Sequence, residues 1–159
     1  ERFERLEETL QICLQMWSDN NGPYRGNYYE LDETLCNPLP LTRPRPPILV
    51  GGGGERRTLL LVARYADACN LIASNVDEVA HKLAVLRTHC EAESRDYDAI
   101  RKTAIYPKFS QVLEKTDLFL AEAREYAALG ISQLDVLPDR NPVEYIERVA
   151  HLVPVLAAL

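Results

Sequence analysis

The sequence has no long apolar run and no excess of positive charge, and each absence excludes a class of function. No stretch approaches the ~20 apolar residues that span a membrane. The chain carries 18 Lys and Arg against 24 Asp and Glu, a formal net charge of −6. Nucleic-acid and anionic-membrane binding require clustered basic residues in excess. We therefore predict neither a nucleic-acid nor a membrane partner.

The sequence also lacks the paired cysteines of a metal site or a redox motif. Cys13, Cys36, Cys69 and Cys90 are widely spaced, and only His89 adjoins one of them. We predict no metal. Cys13 and Cys90 fall on apolar helix faces and Cys69 in a strand, as expected of buried free thiols, although an even count also permits disulfides. No signal peptide is recognisable, so we predict a reducing, cytoplasmic location.

Four consecutive glycines are the most informative feature of the chain. Gly51–Gly54 follow the apolar run Ile48–Val50 and precede the apolar segment Leu59–Ala63. This order predicts a strand, a tight loop and a helix, whose exposed N–H groups and partially positive N-terminus favour an anion such as phosphate. A flexible linker or a plain turn is the alternative. The third glycine of a dinucleotide fingerprint and the Gly-Lys-Ser/Thr of a P-loop are both absent.

The remaining pattern alternates strands with helices over a length typical of one domain. Strands are predicted at about 48–51, 68–72, 103–107 and 133–137. Such alternation predicts parallel strands with right-handed crossovers. A parallel sheet is normally covered on both faces. The four strands are therefore either part of a doubly wound sheet or half of a closed eight-stranded barrel.

Local signals predict where the helices begin and end. The helix after the glycines is expected to begin near Glu55, and Ser74 is expected to cap the next one. Asp117 is expected to begin a further helix, which Gly130 ends. Asn141 followed by proline predicts the start of the last helix.

The first third of the chain has a different character. Apolar residues at helical spacing up to Trp17 predict a helix, and residues 19–47 are rich in turns and proline. Within them Tyr24–Leu31 predicts a small hairpin, and the segment is either a lid or a surface excursion without a role. We expect it to be the least ordered part of the chain. The sequence opens without Met inside a helix, so we expect the natural chain to extend further.

Several motifs, in this order and spacing, resemble the C-terminal half of the luciferase-like monooxygenase superfamily. They are Arg2-Phe3-Glu4-Arg5-Leu6-Glu7-Glu8, Tyr24-x-Gly26-x-x-Tyr29-x-Leu31, Arg45-Pro46-Pro47-Ile48-Leu49-Val50-Gly51-Gly52 and Ala63-Arg64-Tyr65-Ala66-Asp67 followed by Asn70. The glycine run with Glu55-Arg56, and Lys82-Leu83-x-x-Leu86-Arg87-x-His89-Cys90, are most similar to coenzyme F420-dependent oxidoreductases of actinobacterial type.

The resemblance implies an α/β fold, namely the C-terminal half of a (β/α)8 TIM barrel. Residues 1–159 would supply four parallel strand–helix units, the preceding helix and the insertion at 19–47. The resemblance also implies that the glycine loop holds the cofactor phosphate. The implied cofactor-binding residues are Gly51, Gly52, Gly53, Gly54 and Arg56.

The implied activity is hydride transfer between a deazaflavin, coenzyme F420, and a small organic substrate. The alternatives are an FMN-dependent monooxygenase and a catalytically silent half-barrel that serves binding or assembly. Catalytic residues are expected outside this half, so the 159-residue piece alone is expected to be inactive, and its partner is either a second copy in a homodimer or the N-terminal half-barrel. Polar residues at strand ends are candidate substrate contacts, although each can equally be a solvated loop residue: Asn70, Ser74, Tyr106, Lys108 and Arg140.

Overall fold

A computed structural model describes residues 1–108, 110–138 and 141–159. The chain divides into two compact units, residues 1–48 and 49–159. The elements in chain order are α1 (Arg2–Met16), β1 (Tyr24–Arg25), β2 (Glu30–Leu31), β3 (Leu49–Gly51), α2 (Thr58–Tyr65), β4 (Ala68–Ile72), α3 (Val76–Ala92), β5 (Arg101–Ile105), α4 (Gln111–Glu114), α5 (Thr116–Ala128), β6 (Ile131–Asp135), α6 (Pro142–Val149), a 3-10 turn (Ala150–Leu152) and α7 (Val153–Leu156). Among the described residues, no helix combines the length and apolar character that crossing a membrane requires.

The first unit consists of α1 and a short antiparallel hairpin. In the hairpin Tyr24 pairs with Leu31 and Arg25 pairs with Glu30. This confirms the hairpin predicted over Tyr24–Leu31. The role of residues 19–47 as an insertion or lid stays a prediction.

The second unit is built on a four-stranded parallel sheet with the order β3-β4-β5-β6. The helices that follow the strands contact one another in the order α2, α3, α5. Right-handed crossovers between strands in sequential order place all the helices on one face. A doubly wound sheet would instead reverse its strand order at a switch point. The sheet is therefore half of a (β/α)8 barrel, which was one of the two predicted arrangements.

Burial differs between the two faces of this sheet. On the helix face Val50, Leu71 and Ala104 are buried. On the other face Leu49 and Ile72 keep 50% and 56% of their surface exposed. Successive side chains of a strand point to opposite faces, which explains why Leu49 and Ile72 are exposed beside Val50 and Leu71. Ala68 and Thr103 are buried although they share the face of Leu49 and Ile72. In a closed barrel, the open face would line the interior.

Two strands lie two residues earlier than predicted. β5 spans Arg101–Ile105 rather than 103–107, and β6 spans Ile131–Asp135 rather than 133–137. The error at β5 arises because Lys102 is charged yet buried. Its ammonium donates to the Tyr97 carbonyl at 2.7 Å and lies 3.9 Å from the centre of the Tyr97 ring. A long side chain with such partners can occupy a strand position that charge alone argues against.

Two predicted helix starts are also corrected. The helix after the glycines begins at Thr58, not near Glu55. The cap of α3 is Asn75 rather than Ser74, since the Asn75 side chain accepts from the Glu78 N–H at 2.8 Å. The Glu78 carboxylate in turn accepts from the Ser74 N–H at 2.7 Å, a reciprocal arrangement like a capping box.

Other helix signals agree with the structure. Gly130, with φ +84°, follows α5, as predicted for a left-handed residue at that position. Asn141 caps α6, with Pro142 in the first turn. α5 begins at Thr116, one residue before the predicted Asp117, and the short α4 was not predicted.

Candidate functional site

The glycine loop joins the C-terminal end of β3 to α2. Gly51 is the last residue of β3 and pairs with Asn70 of β4. Gly52 has φ +127°, and its N–H donates to the Asn70 carbonyl at 2.9 Å. The expectation that Gly52 offers its N–H to a phosphate is therefore wrong, because that N–H continues the sheet. The positive φ explains why glycine is required at this position.

At Gly53 and Gly54 other atoms of the protein lie so close to the backbone that a side chain would meet them. A Cβ atom at Gly53 would lie 2.6 Å from the Ile72 carbonyl oxygen and 3.2 Å from the Lys82 ammonium nitrogen. A Cβ atom at Gly54 would lie 2.8 Å from Thr58 Oγ1. By contrast, a Cβ atom at Gly51 would meet nothing within 4 Å. The loop is therefore a packed turn and not a flexible linker.

The next backbone N–H groups have no acceptor in the described part of the chain. This holds for Gly53, Gly54, Glu55 and Arg56. The Arg56 side chain is exposed and makes no hydrogen bond or ion pair with another described residue. Successive unpaired N–H groups in a turn before a helix are the donors that bind phosphate in proteins.

Two side chains of α3 form hydrogen bonds with carbonyl groups of the glycine loop. The ammonium of Lys82, a residue only 7% exposed, donates to the Gly53 carbonyl at 3.1 Å and lies 3.0 Å from Glu78 Oε1. His89 Nε2 lies 2.8 Å from the Glu55 carbonyl oxygen, which it can approach only as a donor. Hydrogen bonds from the Ser74 N–H and from Lys82 hold the pKa of Glu78 below its ordinary value.

A second polar cluster lies on the open face of the sheet. Asn70 Nδ2 donates to Asp135 Oδ2 at 2.5 Å, and Gln133 Nε2 donates to Asp135 Oδ1 at 2.6 Å. Asn70 Oδ1 is buried and has no partner among the described residues. Sequence analysis selected Asn70 but missed Asp135 and Gln133. The predicted β6, at 133–137, lay two residues too late, so Asp135 was not recognised as the residue that ends the strand.

The structure ties Tyr106 and Lys108 to one carboxylate. The Tyr106 hydroxyl donates to Glu122 Oε2 at 2.6 Å, and the Lys108 ammonium pairs with Glu122 Oε1. The Tyr106 ring is fully buried and meets Phe119 and Tyr126 edge to face at 5.0 and 6.4 Å between ring centres. Burial and the Glu122 carboxylate raise the pKa of Tyr106. This placement gives Tyr106 a packing role and does not support a substrate contact.

A cavity of about 650 Å³ opens where β5 and β6 end. Lys108, Tyr145 and Arg148 contribute polar groups to its lining. Ser74 lies exposed after β4. The last predicted substrate contact, Arg140, lies outside the described residues. The cavity therefore lies at the carboxyl ends of the strands, the face that carries the active site in (β/α)8 enzymes.

The sequence profile of the luciferase-like monooxygenase family matches residues 1–145. The chain belongs to this family. Curated relatives of the luciferase-like chain include an F420-dependent glucose-6-phosphate dehydrogenase of Tsukamurella paurometabola, 25% identical over 163 residues, which cover 93% of this chain and 46% of the relative. They also include an F420-dependent hydroxymycolic acid dehydrogenase of Mycobacterium tuberculosis, 28% identical over 160 residues, which cover 98% and 40%. This chain therefore spans less than half the length of these relatives.

One relative in the family depends on another cofactor. An FMNH(2)-dependent dimethylsulfone monooxygenase of Pseudomonas putida is 29% identical over 91 residues, which cover 53% of the luciferase-like chain and 25% of the relative. Among solved structures, an F420-dependent secondary alcohol dehydrogenase in complex with an F420-acetone adduct superposes with a TM-score of 0.78 at 12% identity. The match covers 98% of this chain and 62% of that one, and it shows the shared fold.

In the first unit, residues from two of the family-like motifs, Glu8 and Gly26, contact each other. The Glu8 carboxylate of α1 accepts hydrogen bonds from the N–H groups of Asn27, Tyr28 and Tyr29 at 2.7 to 3.0 Å. A Cβ atom at Gly26 would overlap Glu8 Oε2, so a larger residue there would displace the carboxylate from these N–H groups. Burial acts to raise the pKa of Glu8, but the three N–H groups hold it below its ordinary value. Glu8 and Gly26 in the luciferase-like chain thus form a structural anchor for the hairpin.

Proposed function

We propose that this chain provides the cofactor-phosphate site of an F420-dependent oxidoreductase acting on a small organic substrate. The observation that carries the proposal is the row of unpaired N–H groups from Gly53 to Arg56 at the end of β3. The curated F420-dependent relatives support the choice of cofactor. Because the chain spans less than half the length of those relatives, the activity belongs to the whole protein.

The residues of the loop fit a phosphate by geometry and by charge. Gly53, Gly54 and Glu55 present N–H groups before α2, whose N-terminus adds a partial positive charge. The exposed Arg56 guanidinium can pair with the same anion, since its planar donors match phosphate oxygens. Gly51 would remain a spacer, since its place in β3 leaves room beside Asn70.

When bound, coenzyme F420 supplies the hydride chemistry, and the protein supplies position and electrostatics. The open sheet face beside the loop carries Asn70 and Asp135. The unpaired Asn70 Oδ1 offers an acceptor there for a hydroxyl or N–H group. The substrate would bind where the strands end, with Asn70, Ser74 and Lys108 as proposed contacts.

Cofactor titration of the purified protein tests the proposal. We expect F420 to bind, with absorbance near ~420 nm, and FMN, which absorbs near ~450 nm, to bind more weakly. Gly53→Ala should abolish the binding of F420, and Gly51→Ala, whose added Cβ meets nothing, should leave it unchanged. Preferential binding of FMN would favour the second candidate, a flavin-dependent monooxygenase, which the relative from Pseudomonas putida supports. Binding of neither cofactor would leave a silent half-barrel as the better interpretation.

A further inference from the structure

Two side chains of α3 form hydrogen bonds with backbone carbonyl groups of the glycine loop. Lys82 donates to the Gly53 carbonyl at 3.1 Å, and His89 donates to the Glu55 carbonyl at 2.8 Å. The two carbonyls belong to alternate residues of the loop. Both are thus held toward the same helix, α3.

The geometry of the peptide bond then fixes the direction of the next N–H groups. In a trans peptide the C=O of one residue and the N–H of the next point in opposite directions. Among the described residues, the cis bonds are those before Pro38 and Pro44, so the loop peptides are trans. With the Gly53 and Glu55 carbonyls held by α3, the N–H groups of Gly54 and Arg56 point away from α3. These two N–H groups are among those without a protein acceptor.

The burial of Lys82 argues against a role in packing alone. A buried ammonium loses hydration, and an apolar side chain would fill the same space without that cost. Lys82 reaches the loop because Gly53 has no side chain: a Cβ atom there would lie 3.0 Å from Lys82 Cε. The absence of a side chain at Gly53 thus lets the Lys82 ammonium donate to the Gly53 carbonyl.

We propose that Lys82 and His89 are positioning residues that aim the Gly54 and Arg56 N–H groups at the cofactor phosphate. The inference rests on the proposed function, because it assumes that the loop holds a phosphate. Neither side chain needs to touch the cofactor. Lys82 acts through the Gly53 carbonyl, and its own charge is paired with the Glu78 carboxylate at 3.0 Å.

The test compares two ligands that differ in the phosphate: coenzyme F420, and the same deazaflavin with its polyol chain but without the phosphate. For Lys82→Met we expect the Kd of F420 to rise about tenfold and the Kd of the phosphate-free deazaflavin to change less than about twofold, since a charge-assisted hydrogen bond organises the phosphate donors only. Lys115→Met removes an exposed positive charge elsewhere and should change neither value.

His89→Phe is the second variant, because it keeps a ring and removes the donor. We expect a smaller rise in the Kd of F420, about threefold to fivefold, as for a neutral hydrogen bond. His151→Phe is the control, since His151 is exposed and lies outside both α3 and the glycine loop. Amide NMR gives an independent readout: inorganic phosphate should shift the Gly54 and Arg56 signals in the unsubstituted protein and not in Lys82→Met.

The outcomes separate the two proposals. If the unsubstituted protein binds both deazaflavins equally, the phosphate site itself is wrong. If it prefers F420 and Lys82→Met and His89→Phe keep the full preference, the positioning role is overturned. Equal weakening of both ligands by Lys82→Met would also overturn it, because that result indicates a general structural role.

Discussion

Asn70 of β4 and Asp135 of β6 share a hydrogen bond of 2.5 Å although β5 lies between their strands. Thr103 of β5, which is paired with Asn70, makes this contact possible. It is a small, fully buried residue, and its hydroxyl donates to the Cys69 carbonyl at 2.9 Å. One hydrogen bond thus couples three strands on the open face of the sheet.

Replacement of Asp135 with alanine should therefore lower the free energy of unfolding by about 1–3 kcal/mol, since both amide groups lose a charged acceptor. Gln133→Ala removes only one of the two bonds, at an exposed side chain, and should cost less than half as much. Urea unfolding monitored by circular dichroism measures both. Equal effects of the two variants would contradict a central role for the carboxylate.

The glycine loop gives a second prediction that needs no cofactor. Gly53→Ala should destabilise the protein by about 1–3 kcal/mol, because its Cβ would lie 2.6 Å from the Ile72 carbonyl oxygen and the backbone would have to move. Gly51→Ala introduces the same methyl group with no neighbour within 4 Å and should stay within about 0.5 kcal/mol. Thermal unfolding of the pair decides between a packed turn and a linker, since a linker would tolerate both.

The order of the elements was predictable because apolar periodicity and helix caps are local signals. β4 spans Ala68–Ile72, as predicted, and Asn141 caps α6, as predicted. The starts of β5 and β6 were missed because they depend on tertiary contacts. Lys102 is accommodated by the Tyr97 ring, and the register of β6 shifts beside Lys102 and Thr103. Neither feature leaves a period-2 pattern in the sequence.

The candidate site was predictable only in part, for a similar reason. A run of glycines before a helix indicates an anion site from sequence alone. Which N–H groups remain available depends on pairing between strands, and Gly52 donates its own to Asn70. The role of Lys82 was also hidden, because a lysine in a helix normally points to solvent. Lys82 and Gly53 are 29 residues apart in the sequence, and only the fold brings them into contact.

The Glu8 anchor predicts an acid-sensitive first unit. The folded-state pKa of Glu8 lies below its ordinary value, so the contribution of its carboxylate to stability is fully present above the unfolded-state pKa. This contribution is lost as pH falls through the folded-state pKa. We expect amide exchange at Asn27, Tyr28 and Tyr29 to be slow at pH 7. Protection should fall below about pH 4.5, the ordinary range of a glutamate.

Glu8→Gln should remove this pH dependence and speed exchange at the same three amides at pH 7. Glu33→Gln, at an exposed residue of the same unit, should leave the exchange unchanged. Fast exchange at these amides in the unsubstituted protein would contradict the anchor. It would also support the expectation that residues 19–47 are the least ordered part of the chain.

Tyr106 gives a prediction that separates packing from substrate binding. Tyr106→Phe keeps the buried ring and removes the hydroxyl that donates to Glu122, which should cost about 1–2 kcal/mol of stability. The pKa of Tyr106 is raised in the folded state, so its contribution to stability is fully present below the unfolded-state pKa of about 10. This contribution is lost as pH rises from there toward the folded-state pKa. Tyr126→Phe is the matched control, since no hydrogen bond joins its hydroxyl to another described residue. A change in the KM of the whole enzyme with unchanged stability would instead indicate a substrate contact.

The open face of the sheet leads to the last prediction, that the 159-residue chain associates with itself when it is produced alone. Leu49 and Ile72 expose 50% and 56% of their surface on this face, and full burial of such a side chain contributes about 1.5–3 kcal/mol. β3 and β6 are the two edges of the sheet, and the unpaired backbone groups of an edge strand favour pairing with another chain.

We expect light scattering to give a mass above 18.0 kDa that rises with concentration. The double variant Leu49→Lys, Ile72→Lys should lower it, because lysines would have to lose hydration on a covered face. A stable, cooperatively unfolding monomer at high concentration would show that this face needs no cover, and the half-barrel would then be a complete folding unit.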